Sequence, residues 1–150
     1  MTRVDMVHIP YKGTAPAVVD LLAGNVSLMF NSMPSVLPHV DARKLRGLAV
    51  SSAKRSLARP EFPTVAESGV PGFESVTWYG LYAPAAAPKD VIGKLNAEVV
   101  RMLADPEFSK RLLGMGAEPA STTPQELTSY MRSDYAATKK LVEMANLKVD

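Results

Sequence analysis

The sequence predicts an α/β fold in which a parallel-rich sheet is flanked by helices. Three short apolar runs, at residues 7–11, 26–30 and 45–50, have the length and composition of strands. Two segments with apolar residues at helical spacing separate these runs. A strand–helix–strand–helix–strand order favours parallel pairing with right-handed crossover connections. A chain of 150 residues is long enough for one such domain, or for two sub-domains that share a core.

The two helices between these strands have recognisable starts and stops. Lys12-Gly13 ends the first strand, and Thr14 has the position of an N-cap. Apolar residues follow at helical spacing until Gly24, which predicts the end of the helix. A second, shorter helix is expected to start at Ser32 and to pass through Leu37.

The middle of the chain predicts one short helix and one further strand. Thr64 and Glu67 have the spacing of a capping box, and Gly69 follows at once, so the helix has one or two turns. Residues 75–82 are rich in β-branched and aromatic side chains, and the segment ends at Ala83-Pro84. This segment is therefore predicted to be a strand.

The remainder of the chain is predicted to be mostly helical. Pro88 opens one helix, Asp105-Pro106 starts a second, and a capping box of Thr123 and Glu126 opens a long terminal helix. Residues 117–121 could form a short edge strand. The terminal helix is expected to turn its apolar residues inward, namely Leu127, Tyr130, Met131, Leu141, Val142 and Ala145.

Composition excludes several classes of function. The net charge is +2 and the basic residues are scattered, so we expect no nucleic-acid partner. The absence of cysteine excludes disulfides and thiolate metal sites. No apolar run approaches the roughly 18 residues of a membrane span. Residues 1–5 do not have the pattern of a secretory leader, so we expect a cytoplasmic protein if Met1 is the true start, or a chain separated from its natural N-terminus.

No set of catalytic or metal-binding residues is recognisable. The chain contains no G-x-S-x-G, no G-x-x-x-x-G-K-[ST] and no G-x-G-x-x-G after a strand. His8 and His39 do not have metal-ligand spacing, and the acidic residues are dispersed. We therefore predict a protein that is not an enzyme, with no catalytic residues, no metal site and no cofactor.

The candidate binding residues lie where predicted strands end and helices begin. Gly13, Thr14 and Ala15 form the first junction. The first backbone N–H groups of a helix are unpaired and lie at its positive end, which suits a carboxylate or a phosphate. Asn31 and Ser32 form a second junction, which adds an amide and a hydroxyl. In a parallel sheet both junctions would lie at the carboxyl ends of strands, where open α/β sheets bind ligands.

Two interpretations of these features stay open on the residues alone. Most strand-to-helix junctions are simply capped helices that bind nothing. Trp78 and Tyr79 could likewise pack in the core of a β-rich segment, which is the stronger interpretation for at least one of the rings, or form an aromatic wall against a ligand.

Several motifs, taken in order, resemble one protein family. Residues 8–17 (HIPYKGTAPA) are similar to the "VPYKG-S/T-x-P" segment of the Bug-type receptors, the periplasmic solute-binding proteins of tripartite tricarboxylate transporters. The similarity continues through residues 20–24, 28–31, 48–50, 54–55, 63–69, 78–81, 83–84, 88–89 and 116–119. The resemblance therefore covers nearly the whole chain.

The resemblance implies a two-lobed periplasmic binding protein type II-like fold with a truncated first lobe. Residues 1–75 would form the second, ligand-binding lobe, and residues 76–150 would form a crossover strand and C-terminal helices that belong to the first lobe. The resemblance places the residues of the two junctions in the family's binding loops, namely Gly13, Thr14, Ala15, Asn31 and Ser32. The predicted ligand-binding residues are these five together with Tyr11, Trp78 and Tyr79.

The implied function is capture of a small carboxylate in the periplasm for delivery to membrane permease subunits. The exposed surface of a truncated lobe makes a homodimer plausible. The chain departs from the family where Asp41-Ala42-Arg43 replaces a glycine turn, and where Tyr135 and Thr138 stand near a common tryptophan. Two other hypotheses are a truncated intracellular ligand-sensing or assembly module on the same half-fold, and an enzyme on that fold, for which no catalytic residues can be assembled.

Overall fold

The computed structural model describes residues 4–145, and this part of the chain contains five α-helices. In chain order they are α1 (Thr14–Ala23), α2 (Met33–Asp41), α3 (Lys89–Ala104), α4 (Pro106–Gly114) and α5 (Pro124–Ala145). The helices predicted from the capping and stop signals are therefore confirmed in number and order, apart from the short one at Thr64. Within the same residues, no helix is both long enough and apolar enough to span a membrane.

The structure does not show the predicted parallel-rich sheet among residues 4–145. The one β pairing described is a parallel bridge between Val50 and Thr64, in which the Val50 amide donates to the Pro63 carbonyl at 2.9 Å. The other predicted strand segments have no ladder partner there, and apolar side chains such as Val7 and Phe30 are exposed. A strand needs a ladder of paired backbone groups and a buried face. In these segments the described backbone pairing is limited to isolated hydrogen bonds, such as the one from the Ser75 amide to the Ser51 carbonyl at 2.8 Å.

Helix α1 is bounded by two glycines with positive φ. Gly13 is the N-cap residue, at φ 108° and ψ 176°, and Gly24 ends the helix at φ 78°. The amides of Gly24 and Asn25 donate to the carbonyls of Leu21 and Asp20, which closes the last turn. The prediction that Thr14 is the N-cap is therefore wrong by one residue, because Thr14 already has a helical position.

Helix α2 starts at Met33, one residue after the predicted start at Ser32, and ends in an unusual turn. Arg43 has φ 58° and is the one residue other than glycine with positive φ between residues 4 and 145. The amides of Lys44 and Leu45 both donate to the carbonyl of His39 in this turn. A left-handed conformation costs about 1–2 kcal/mol for a residue with a side chain. The turn therefore keeps a glycine-type backbone at the position where the family resemblance leads us to expect glycine.

The chain divides into two compact units. Unit 1 comprises Met1–Leu81 and Glu107–Pro119, and unit 2 comprises Tyr82–Pro106 and Ala120–Asp150. The buried apolar residues of the described chain all belong to unit 1; they are Val18, Leu37 and Val50. The predicted division into two lobe segments at residue 75 stays a prediction.

A capping box organises the centre of unit 1. The Thr64 amide donates to Glu67 Oε2 at 2.8 Å, and the Glu67 amide donates to Thr64 Oγ1 at 3.0 Å. The Arg55 guanidinium also binds the Glu67 carboxylate, at 2.9 Å. The hydrogen bonds from the Thr64 amide and then from Arg55 hold the pKa of Glu67 below its ordinary value. The segment forms hydrogen-bonded turns rather than the predicted helix, because Gly69, at φ 110°, follows the box at once.

The loop after α4 supports the start of α2. Gly116 has φ 83°, and a Cβ atom added there would lie 2.7 Å from the Cγ atom of Met33, the first residue of α2. Two residues later, Glu118 accepts hydrogen bonds from the Ser56 hydroxyl at 2.5 Å and from the Leu57 amide at 3.0 Å. The loop thus approaches α2 closely because residue 116 has no side chain.

Unit 2 contains helices α3 and α5. The predicted capping box at the start of α5 is confirmed, because the Thr123 amide donates to Glu126 Oε2 at 2.7 Å. The prediction that apolar residues of α5 point inward is wrong for Tyr130, Met131 and Leu141, which are all exposed. Helical periodicity predicts that a helix has an apolar face. Burial of that face requires another element that packs against it, which the periodicity does not predict. The side chain of Ala145, also predicted to point inward, lies outside the described residues.

Candidate functional site

The start of α1 presents three unpaired backbone amides. They belong to Gly13, Thr14 and Ala15, which are exposed N-cap, first and second helical residues. The third helical residue, Pro16, has no N–H. No side chain caps this helix, and none of the three amides has a hydrogen-bond acceptor within residues 4–145. Since α1 has ten residues, its dipole places partial positive charge at these amides.

Most backbone amides at the start of α2 are either paired within the chain or replaced by proline. The Ser32 amide donates to Asn31 Oδ1 at 2.8 Å, and the Ser35 amide donates to the Ser32 carbonyl at 3.1 Å. The hydroxyl groups of Ser32 and Ser35 pair at 2.8 Å. Because the second helical residue is Pro34, only the amide of Met33 has no acceptor in the described part of this turn.

The structure brings one residue from each junction together. The Thr14 hydroxyl lies 3.5 Å from Asn31 Oδ1, which is long for an O–H···O hydrogen bond. On its other side, Asn31 Nδ2 donates to the Met29 sulfur at 3.8 Å, a weak acceptor. The Thr14 hydroxyl and the Asn31 Nδ2 group each have a weak acceptor, so each can donate to a better acceptor at a low cost in free energy.

Tyr11 uses its hydroxyl within the chain. The hydroxyl donates to Asp20 Oδ2 at 2.7 Å, and Asn25 Nδ2 donates to Asp20 Oδ1 at 3.0 Å. The hydrogen bond to Asp20 raises the pKa of Tyr11, and the bonds from Tyr11 and then Asn25 lower the pKa of Asp20. Tyr11 therefore stays protonated and Asp20 ionised around neutral pH. A direct contact between Tyr11 and a ligand stays a prediction.

Sequence reasoning missed Asp20, although the sequence contains a signal for it. An acidic side chain in the last turn of a helix faces the negative end of the dipole, which is unfavourable by about 0.3–1 kcal/mol. An aspartate at such a position, followed by the glycine that ends the helix, suggests a specific partner.

The predicted aromatic pair belongs to unit 1. Tyr79 is exposed, with 75% of its surface accessible, whereas Trp78 is half-buried. Neither ring is fully buried, so core packing accounts for Tyr79 poorly and for Trp78 in part. Their contact with a ligand stays a prediction.

The arrangement suits binding rather than a reaction. Within residues 4–145 no cluster of three or more histidine, cysteine, aspartate or glutamate side chains could hold a metal ion. The groups that converge on the start of α1 are main-chain amides, one hydroxyl and one carboxamide. Such a set donates hydrogen bonds to an anion without adding or removing a proton.

Comparison with known proteins gives a consistent picture. Residues 2–147 match the family profile described as the tripartite tricarboxylate transporter family receptor. A protein of Pseudomonas sp. strain P51, named for the tcbD-tcbE intergenic region, is 39% identical over 141 residues, which cover 93% of this chain and 42% of that protein. Protein BugT of Bordetella pertussis is 36% identical over 126 residues, or 84% of this chain and 39% of BugT.

Solved structures agree with the sequence matches. The structure described as Rpa4515 of R. palustris with adipate superposes with a TM-score of 0.91 at 35% identity, covering 97% of this chain and 49% of that one. The periplasmic binding protein BugD gives a TM-score of 0.82 at 36% identity with the same coverage. MatC of Rhodopseudomonas palustris with bound malate gives 0.66 at 33% identity over 78% and 40% of the two chains. The chain thus spans about half the length of these proteins.

Proposed function

The chain belongs to the receptor family of the tripartite tricarboxylate transporters, and from this premise we propose that it captures a small carboxylate for uptake without changing it chemically. The observation that carries the proposal is the set of three unpaired amides at Gly13, Thr14 and Ala15. The Bug-type resemblance seen in the sequence is confirmed by the family match and by the similarity to BugT and BugD.

The chemistry of a carboxylate fits these donors. A carboxylate has two oxygens with about four acceptor sites, so adjacent amides can bind it together. Hydrogen bonds to an ionised acceptor are roughly twice as strong as neutral ones, and the helix dipole adds to them. The Thr14 hydroxyl and Asn31 Nδ2, which have weak partners, provide two further donors. Trp78 and Tyr79 would flank the bound molecule as apolar walls.

Small dicarboxylates are the first ligands to consider. One structural neighbour is described with adipate and another with malate, and both molecules carry two carboxylates on a short carbon chain. The donors at the start of α1 would bind one of the two carboxylates. As both neighbours are about twice as long as this chain, the second carboxylate would have its own set of donors outside the described residues.

The fold of the family places these junctions in a sheet. The similarity to periplasmic solute-binding structures shows that fold family for the chain. We further propose that the extended segments 7–11, 26–30 and 45–50 pair as parallel strands in a type II binding-protein fold, residues 1–75 being the ligand-binding lobe. Exposed apolar residues in these segments, Val7, Ile9, Leu28 and Phe30, support the need for a partner surface. Location in the periplasm and delivery to a membrane permease belong to the same proposal.

The alternative of an intracellular sensing or assembly module has less support. The matched family is one of transporter receptors, and the structural neighbours are periplasmic binding proteins. The same matches argue against an enzyme. Self-association through exposed apolar surface stays a prediction, and analytical ultracentrifugation of the chain would test it.

Calorimetric titration tests the proposed function. We expect the chain to bind adipate or malate, or another member of a panel of dicarboxylates, tricarboxylates and aromatic acids. The diamide of adipic acid is the matched control, because it has the same length and no charge, and it should not bind. A ligand held at about 100 times its dissociation constant should stabilise the fold by about 2.7 kcal/mol. Failure of every acid to bind, or equal binding of acid and diamide, would contradict the proposal.

A further inference from the structure

One side-chain contact joins the loop before α1 to the far end of the same helix. Tyr11 precedes the helix by three residues, and its hydroxyl reaches the carboxylate of Asp20 at 2.7 Å, nine residues further along the chain. Asp20 in turn is held by Asn25, through Nδ2 to its carboxylate at 3.0 Å and through the amide to its carbonyl at 2.9 Å. The loop, the helix and the turn after the helix are therefore linked through one carboxylate.

The segment between Tyr11 and the start of α1 has little packing of its own to fix its conformation. Lys12 and Gly13 are exposed, and a Cβ atom at Gly13 would have no neighbour within 4 Å. Gly13 also has the largest conformational freedom of any residue type, so its backbone is costly to order. Packing alone does not hold this part of the chain. The hydrogen bond from Tyr11 is a side-chain restraint placed just before the three amides.

The position of Asp20 is not explained by helix stability. Its carboxylate lies in the last turn of α1, where the dipole disfavours negative charge. The helix already ends in a glycine turn closed by backbone hydrogen bonds, so it does not require this side chain to stop. The contribution of Asp20 to the structure therefore consists of the two hydrogen bonds that its carboxylate accepts, from Tyr11 and from Asn25.

We propose that Asp20 is a positioning residue of the carboxylate site, which acts through the Tyr11 hydroxyl to hold the Tyr11–Gly13 loop and the amides of Gly13, Thr14 and Ala15 in a binding geometry. This inference rests on the proposed function. Preorganised donors bind more tightly because the ligand does not have to order them. Asp20 does not touch the ligand in this scheme, and its ionised state is kept by its own partners.

Relaxation of backbone amides gives a test that needs no ligand. In the wild-type chain we expect order parameters near about 0.85 at Gly13, Thr14 and Ala15, and in Tyr11→Phe a decrease toward about 0.6. Tyr11→Phe keeps the ring and the charge and removes only the hydroxyl. The control is Asp41→Ala, which removes another carboxylate from unit 1 and breaks its pair with Arg59, but does not involve α1.

Adipate binding gives the second part of the test. Tyr11→Phe should weaken binding by about 3- to 10-fold, the value of one hydrogen bond, and Asp20→Ala should do the same although it removes a repelling charge. Asp20→Asn keeps an acceptor oxygen for Tyr11 and should restore most of the affinity. The double variant Tyr11→Phe/Asp20→Ala should bind no more weakly than Asp20→Ala alone, because both changes remove the same contact.

The outcomes separate this inference from the proposed function. Additive losses in the double variant, or order parameters that do not change in Tyr11→Phe, would overturn the positioning role. A third outcome is that Asn25→Ala reproduces every effect of Asp20→Ala, whereas Tyr11→Phe changes neither the order parameters nor the affinity. Asp20 would then stabilise the turn after α1 and not the Tyr11–Gly13 loop, which would overturn the positioning role. A wild-type chain that does not bind adipate or any other carboxylate refutes the proposed function and the binding role of Asp20, while the order parameters still decide whether Asp20 orders the loop.

Discussion

Two helix starts in unit 1 have similar sequences and different capacities for a ligand. At the start of α1 the amides of Gly13, Thr14 and Ala15 have no acceptor among the described residues, whereas at the start of α2 only the Met33 amide has none. Both follow an apolar run, and both have a small or polar N-cap residue. The difference shows that a strand-to-helix junction is a potential anion site only when its first amides are neither paired within the chain nor removed by proline.

The cause lies in the residues around each N-cap, since neither helix has a side-chain cap of its first-turn amides. Gly13 has no side chain, so it cannot accept a hydrogen bond from the first turn of α1. At α2, Asn31 accepts from the amide of the N-cap residue Ser32 at 2.8 Å, Pro34 has no N–H, and the Ser35 amide donates to the Ser32 carbonyl. The amides at the start of α1 are therefore the larger set of donors that a bound carboxylate would satisfy.

The largest expected effect comes from removing one of the three amides. Thr14→Pro deletes the N–H at the first helical position, where proline is tolerated, so the helix should persist. It also deletes the Thr14 hydroxyl, so Thr14→Ala, which removes the hydroxyl alone, is the reference. Relative to Thr14→Ala we expect the affinity for adipate to fall by about 1.5–3 kcal/mol, the value of a hydrogen bond to a charged group. Calorimetry measures the loss.

Two matched variants sharpen this result. Lys89→Pro makes the same change at the first residue of α3, in unit 2, and should leave adipate binding unchanged. Met33→Pro removes the one free amide of α2 and should cost less affinity than Thr14→Pro. If Thr14→Pro binds adipate as the wild type does, the difference between the two helix starts has no functional meaning.

Gly13→Ala tests whether the uncapped start of α1 depends on glycine. The backbone at φ 108° and ψ 176° is open almost only to glycine, so alanine should lower the free energy of unfolding by about 1–3 kcal/mol. Space is not the cause, since no atom lies within 4 Å of the added carbon. Urea denaturation measures the change.

Gly93→Ala is the control for this prediction. Gly93 lies inside α3, and a Cβ there also meets no atom within 4 Å. The substitution should therefore stabilise the chain, by about 0.5–1 kcal/mol. If both alanine variants change the free energy of unfolding in the same direction, the positive φ at Gly13 does not require glycine.

The smallest effect on stability is expected at α2. Asn31→Asp keeps an oxygen that can accept from the Ser32 amide, but it replaces the Nδ2 donor with a negatively charged acceptor. We expect little change in the urea midpoint but a loss of about 1.5–3 kcal/mol in adipate affinity, because a donor to the charged ligand is replaced by a like charge. Asn31→Ala, which removes the oxygen as well, should instead lower stability. If Asn31→Asp binds adipate with unchanged affinity, Asn31 is not part of the site, and the donors at the start of α1 bind the carboxylate without it.

Much of the local structure could be predicted from the residues. The capping boxes at Thr64 and Thr123 form the reciprocal hydrogen bonds expected of them, and Gly24 ends α1. Capping and turn formation depend on groups within a few residues of one another, so the sequence contains all the participants. The one-residue error at Thr14 has the same origin, because a glycine without a capping side chain leaves no signal for the true N-cap.

The sequence by itself determined the family, the order of the helices and the residues around both junctions. Only the tertiary structure decided which amides stay unpaired, that Tyr11 binds Asp20, and that the apolar segments at residues 7–11 and 26–30 have no strand pairing among residues 4–145. These features depend on contacts between residues distant in the chain and on the surfaces that other elements provide. Periodicity and propensity indicate which secondary structure a segment can form and which of its faces is apolar. The residues that this face contacts are determined by the folded molecule.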